Sequence, residues 1–188
     1  DSTAIFEFFN ELSRAFAEAL LTADLSERDR DEWADQIGEW ADELASYTRH
    51  PPFQAAVVAA RRGWKDDALQ QALAGADDVD LWDGERPWYA DNLLPARLAV
   101  LEREGRTDEY LNLAQATGQS VQYATKLVDV NRVDEAVEYA QNHLSTPDDA
   151  LAVAKALRDA DRPIAAIEVG LRVWISIVNL VALPELAV

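Results

Sequence analysis

Three stretches in the second half of the chain superpose: LAVLEREGRTDEYLNLA, ATKLVDVNRVDEAVEYA and VAKALRDADRPIAAIEVG. They align Arg106, Arg132 and Arg162, which lie 26 and 30 residues apart. A period of that size holds two helices of about 11 residues, each about 16 Å long, with tight turns between them. Each unit therefore reads as an αα-hairpin. The arginine follows Gly105, Asn131 or Asp161 and precedes a new apolar stripe. Gly and Asn are the residues that best accept the left-handed backbone at a helix end. Thr146, Pro147 and Asp149 add an N-cap, a proline at the first helical position and an acid at the third. Hairpins repeated in register bury their apolar faces only by stacking, so the expectation is a short α-solenoid.

The first half is also helical in pattern, without the repeat. Phe9, Leu12, Phe16 and Leu20 recur every three or four residues, as one face of a helix requires. Ser26 with Asp29 resembles a capping pair. Trp33, Ile37, Trp40 and Leu44 then follow at i, i+4, i+7 and i+11, a stripe that reads as core packing. The two long helices are expected to form an antiparallel hairpin. Pro51 and Pro52 suit the first turn of a third helix ending near Gly63, and a weaker helix covers Asp67 to Ala74. Residues 75–92 lose all periodicity and gather Gly, Asp, Pro and aromatics. The expected organisation is an N-terminal helical region over 1–74, a structured aromatic and acidic loop over 75–92, and hairpin repeats with an apolar last helix over 93–188. The fold class is all-α, an N-terminal hairpin layer followed by a tetratricopeptide-like array.

The run from Trp82 to Asp159 resembles the tetratricopeptide-like C-terminal region of bacterial and archaeal SWIM zinc-finger proteins, and the similarity covers about residues 25 to 170. Its most specific pieces are Pro87-Trp88-Tyr89-Ala90-Asp91, LEREGRTDEY over Leu101 to Tyr110, and Asp134 to Tyr139. In that family a separate, more N-terminal module carries the zinc on Cys-x-Cys and Cys-x-His. This chain has no cysteine, so the resemblance implies the helical partner domain without its zinc finger and transfers no metal or catalytic residue. It also implies a nucleic-acid-associated complex, with SWI/SNF-type ATPases among the partners. After Gly170 the chain is far more apolar than the continuation that family suggests.

The charge is -18, with 17 basic against 35 acidic residues, a balance that repels phosphate and anionic membrane surfaces. Direct binding of nucleic acid by this chain is not expected. The scarcity of lysine beside arginine fits either a salt-adapted acidic surface or a GC-rich genome. Lack of cysteine fits a reducing cytosol, and Asp1 begins without a signal pattern, as in mature intracellular material or a fragment of something longer.

Asp77, Asp78, Asp80, Asp83 and Glu85 could offer oxygen ligands to Ca²⁺, but from Asp78 the glycine falls at the seventh position rather than the sixth, which breaks the EF-hand pattern. His50 and His143 lack the spacing of helical metal sites and read as surface or capping residues. Glu102, Glu104, Asp108 and Glu109 flank a helix turn and could be paired carboxylates for acid-base work, but beside Arg103 and Arg106 they read as solvated ion pairs. Catalytic, metal and cofactor residues are thus expected to be none. Trp82, Trp88 and Tyr89 are either a binding platform or the pins of a long loop. With Tyr110, Tyr139 and Trp174 they make the candidate partner-binding set.

The function expected is a non-enzymatic, cytoplasmic interaction scaffold whose groove takes a basic peptide or helix, from an ATPase subunit or the family's own zinc-finger region. The alternatives are a homo-oligomerisation module or a carboxylate-based metal enzyme. In the tail, Trp174, Ile175, Ile177, Val178, Leu180 and Val181 cover most of a helical circumference, with Arg172, Ser176 and Asn179 as the polar strip. That run is too short to span a bilayer and is expected to bury itself against a second chain, giving a homodimer, or against the N-terminal helices.

Overall fold

The computed structural model describes residues 2–45, 50–76, 79–82, 84–144 and 146–182, without the side chains of 2–6, 172–174 and 176–182. Those residues form ten helices and no strand, and 75% of the chain is helical. The helices are α1 (Ser2–Thr22), α2 (Glu27–Leu44), α3 (Gln54–Arg62), α4 (Asp67–Leu73), α5 (Ala90–Arg103), α6 (Thr107–Ala116), α7 (Ser120–Asp129), α8 (Val133–His143), α9 (Pro147–Asp159) and α10 (Pro163–Ala182). Among the described residues no helix is long and apolar enough to cross a membrane.

Two compact units divide between Leu113 and Ala114. The first contains α5 and most of α6, so the loop at 75–92 lies inside a unit and not at its border. Loss of periodicity marks a loop, but it says nothing about whether the flanking helices share a core. Here α5, which follows the loop, packs against α1 and α3, which precede it.

At the centre of this unit is α3, which also packs on both α1 and α2. Ala55, Ala56, Ala59 and Ala60 are almost wholly buried. With side chains this small, neighbouring helices can approach α3 closely, and dense packing is what a core requires. The ring of Phe16 meets Trp40, near the far end of α2, at 6.4 Å. Arg30, near the start of α2, donates to the carbonyls of Leu20 and Ala23 at 3.5 and 3.3 Å, capping the end of α1. The two helices are therefore antiparallel, as the sequence predicts. They are bridged by α3, however, and their backbones lack the close approach that each makes with α3.

The start of α3 departs from expectation. Pro51 and Pro52 precede the helix, and its N-cap is Phe53, at φ 67 and ψ 6 with no side-chain cap. A left-handed phenylalanine costs about 1 to 3 kcal/mol of backbone strain. Packing holds it there: the ring is buried, 5.7 Å from Phe9 and 5.8 Å from Phe16.

Arg97 of α5 is also buried, at 3% exposure. Its Nη2 donates to the Gly63 carbonyl at 3.5 Å, and its Nε finds no partner. Burial pushes the guanidinium down to about 10, against the smaller upward pull of Asp66.

In the second unit α7 pairs with α8 and α9 with α10, while α9 stacks on α7 and α10 on α8. Two hairpins thus lie one upon the other. Their turns are built as the aligned arginines suggest. Asn131 and Asp161 take φ 62 and 60, and the N–H of Arg132 and of Arg162 returns to the carbonyls of Leu127 and Leu157, both at 2.8 Å. In the first unit Gly105 and Arg106 make the same turn to Leu101 at 2.9 Å. A further copy at Gly118 and Gln119, returning to Ala114, escaped the arginine alignment. Such a bond, from the second residue past the helix to its last full turn, satisfies carbonyls the helix leaves open. Arg106 and Arg132 fork onto Glu109 and Glu135 three residues on. Arg162 reaches the Asn131 side chain instead, at 3.2 Å.

Asp161 is exposed and bears the left-handed strain with no compensating packing. Asp161→Gly is expected to raise stability by about 0.5 to 1 kcal/mol, whereas Asp161→Ala is expected to give no gain. Urea unfolding of the two variants checks this.

Candidate functional site

The helix pair held apart by α3 leaves a groove on its open side. Along α1, Phe16, Ala19, Leu20 and Ala23 follow one another at helical spacing; along α2, Trp33, Ile37 and Trp40 do the same, and Leu25 closes the turn. These residues enclose an apolar groove of about 370 Å³. Leu20 and Ile37 are buried, while the indoles of Trp33 and Trp40 are 47% and 37% exposed.

This corrects the reading of the Trp33, Ile37, Trp40 and Leu44 stripe as core. The buried face of α2 is Ala34, Ile37 and Ala41. The bulky tryptophans of the same helix are turned to the rim.

The ends of the groove are fixed by local chemistry. Ser26 and Asp29 form a complete capping box: the serine oxygen accepts from the Asp29 N–H at 3.2 Å, and the Asp29 carboxylate accepts from the Ser26 N–H at 3.3 Å. The Trp64 indole donates to the Leu21 carbonyl at 3.0 Å, tying the turn after α3 to α1.

Electrostatically the groove is one-sided. The eighteen residues of α2 hold eight acidic side chains and two basic ones. Of the two, Arg30 is used on α1, and Arg28 pairs with Glu32 at 2.8 Å. Asp35 pairs with Arg61 and Glu27 with Lys65, whose hydrogen bond and charge hold the Glu27 carboxyl below its usual range. Asp29, Glu32 and Gln36 extend the groove past Leu25 and Trp33 as a shallower polar recess. The site therefore offers two exposed indoles over an apolar floor beside a carboxylate border.

The residues singled out from sequence fare differently. Trp82, Trp88 and Tyr89 do come together, with Tyr89 edge-on to Trp82 at 6.2 Å and to Trp88 at 5.9 Å. Trp82 and Tyr89 pack on the core as loop pins. Trp88 is exposed, stacks on His50 at 5.0 Å and lines a cavity of about 260 Å³ with Asn10, Asp91 and Asn92. Tyr110 is buried at 7% exposure, so it has no surface to offer a partner. Its α6 turns this side inward with Leu111, Leu113 and Ala114.

Tyr139 belongs to the second unit, its ring between Tyr123 at 4.3 Å and His143 at 4.0 Å. His143 ends α8, with its Nδ1 3.0 Å from the Tyr139 carbonyl. Trp174 and the tail side chains from 176 onward lie outside the described residues, as do Asp77, Asp78 and Asp83. Asp80 accepts from the N–H groups of Trp82 and Gly84 at 3.1 and 3.0 Å, shaping the loop. Arg106 pairs with Glu104 and Glu109, and its hydrogen bond holds the Glu109 carboxyl below the usual range. The chain matches no family model, no curated protein and no solved structure, which leaves the chemistry of the α1–α2 groove to carry the functional reading.

Proposed function

We propose that this chain is a non-enzymatic interaction module whose α1–α2 groove takes an amphipathic helix with large aliphatic side chains on one face and lysines or arginines beside them. The observation that carries this reading is the pair of exposed indoles, Trp33 and Trp40, over an apolar floor on a helix with eight acids and two bases. Helix-in-groove recognition uses apolar anchors at i, i+3, i+4 and i+7, and exposed tryptophans are frequent hot spots. The carboxylate border selects the charge of the partner and speeds its approach. The resemblance to SWIM zinc-finger proteins suggests where such a helix comes from: an ATPase subunit, or the zinc-finger half of the same family, in a cytoplasmic or nucleic-acid-associated complex. In the same reading the stacked hairpins α7–α10 are part of a tetratricopeptide-like array, and DNA contact is left to other members of the complex.

Two synthetic amphipathic helices of one leucine pattern, flanked by lysines or by glutamates, test the proposal by titration against tryptophan fluorescence. The lysine helix is expected to bind, and more weakly as salt rises. Trp33→Ala with Trp40→Ala should weaken it by about 2 to 4 kcal/mol, some 30- to 1,000-fold. Equal binding of both helices, or no binding of either, would overturn the reading.

A further inference from the structure

The recess beside the groove has a volume of about 320 Å³ and is lined by Leu25, Asp29, Glu32, Trp33 and Gln36. Asp29, Glu32 and Gln36 stand three and four residues apart, so they share the face of α2 next to the Trp33, Ile37 and Trp40 stripe. Trp33 belongs to both linings. A side chain of a bound helix that neighbours the anchor at Trp33 therefore has the recess within its reach.

The hydrogen-bonding groups of the recess identify that side chain. Asp29 uses Oδ2 in the cap of α2. Gln36 donates its amide to Glu39 at 3.4 Å and keeps its carbonyl oxygen to accept. Glu32 already holds a guanidinium, its Oε1 accepting from Nε of Arg28 at 2.8 Å. The Arg28 side chain is 85% exposed, and so weak a surface pair yields readily to a second guanidinium that is also held by Trp33. Three side chains offering oxygen beside an exposed indole suit a planar donor that stacks on aromatic faces. Guanidinium is that group, whereas the ammonium of lysine is a compact and strongly hydrated point charge. We propose that the recess is an arginine subsite: an arginine of the bound helix lies over the Trp33 indole and places its guanidinium on Glu32 in place of Arg28. This rests on the groove reading and adds to it a choice of arginine over lysine at one position.

The test starts from the leucine helix flanked by lysines and changes one lysine at a time to arginine, with binding to the full chain followed by tryptophan fluorescence. One position is expected to gain about 3- to 10-fold over the all-lysine helix, the range of a part-exposed charge-assisted bond. Citrulline at that position, which keeps the shape and loses the charge, should forfeit the gain. Glu32→Gln should remove the same gain, and the fold is unaffected because the side chain is exposed. Arg28→Ala should tighten the arginine helix by about 2-fold, since it removes the competitor for Glu32. If the all-lysine helix binds but no position gains from arginine, if Glu32→Gln keeps the gain, or if Arg28→Ala weakens the arginine helix, the subsite is overturned and the groove stands. If the all-lysine helix does not bind, the groove is refuted and the subsite with it.

Discussion

Phe53→Ala is expected to destabilise the first unit by about 3 to 5 kcal/mol, the range for deleting a buried phenylalanine ring. The variant loses the contacts to Phe9 and Phe16, at 5.7 and 5.8 Å, and still has a Cβ at a residue whose φ is 67. Phe53→Gly removes the same ring but also removes the strain. It should therefore be about 1 kcal/mol less damaging than alanine, reversing the usual ranking of glycine below alanine. Urea unfolding followed by tryptophan fluorescence measures both variants. Should glycine prove the worse of the two, the left-handed conformation of Phe53 in solution is refuted.

Arg97→Met should raise stability by about 1 to 3 kcal/mol at neutral pH. A guanidinium taken out of water costs several kcal/mol, and replacing buried ions with apolar groups of similar volume is often neutral or stabilising. The compensation at Arg97 is thin, one hydrogen bond of 3.5 Å and an Nε without a partner. Methionine keeps the length of the stem and its packing. The pH dependence carries a sign. Burial holds the folded-state value down to about 10, below the ordinary range of a guanidinium, so below pH 10 both states hold the proton and the wild type bears the whole penalty. Above it the folded state releases the proton first, and the wild type should gain on Arg97→Met as pH rises. Denaturant unfolding at neutral pH and above pH 10 measures the gap, and a gap that widens with pH refutes the argument.

The helices were legible wherever polar and apolar residues alternate strongly or a turn has its own chemistry. The positions of Gly105 and Asn131 predict two left-handed turns because that conformation is set by local sterics, and the aligned Asp161 makes a third. The Ser26 and Asp29 cap is local in the same way. What the sequence concealed was the candidate groove. Weighing Trp33 and Trp40 as core follows from hydrophobicity, yet the face that α2 buries against α3 is Ala34, Ile37 and Ala41. That preference is a property of the pair of helices and cannot be read from either alone. Phe53 escaped for a related reason: its local conformation is unfavourable, and only contacts with α1, more than thirty residues earlier in the chain, hold it in place.

The place of α3 beneath α1 and α2 makes the groove a jaw with its pivot on the side away from its opening. Its gape is set by the thickness of the alanine layer. Widening one of those alanines to valine would spread the jaws without altering any residue a bound helix touches. If the groove takes a helix as proposed, selectivity for thick or slender helices would drift through substitutions hidden in the core, while Trp33 and Trp40 stay the same.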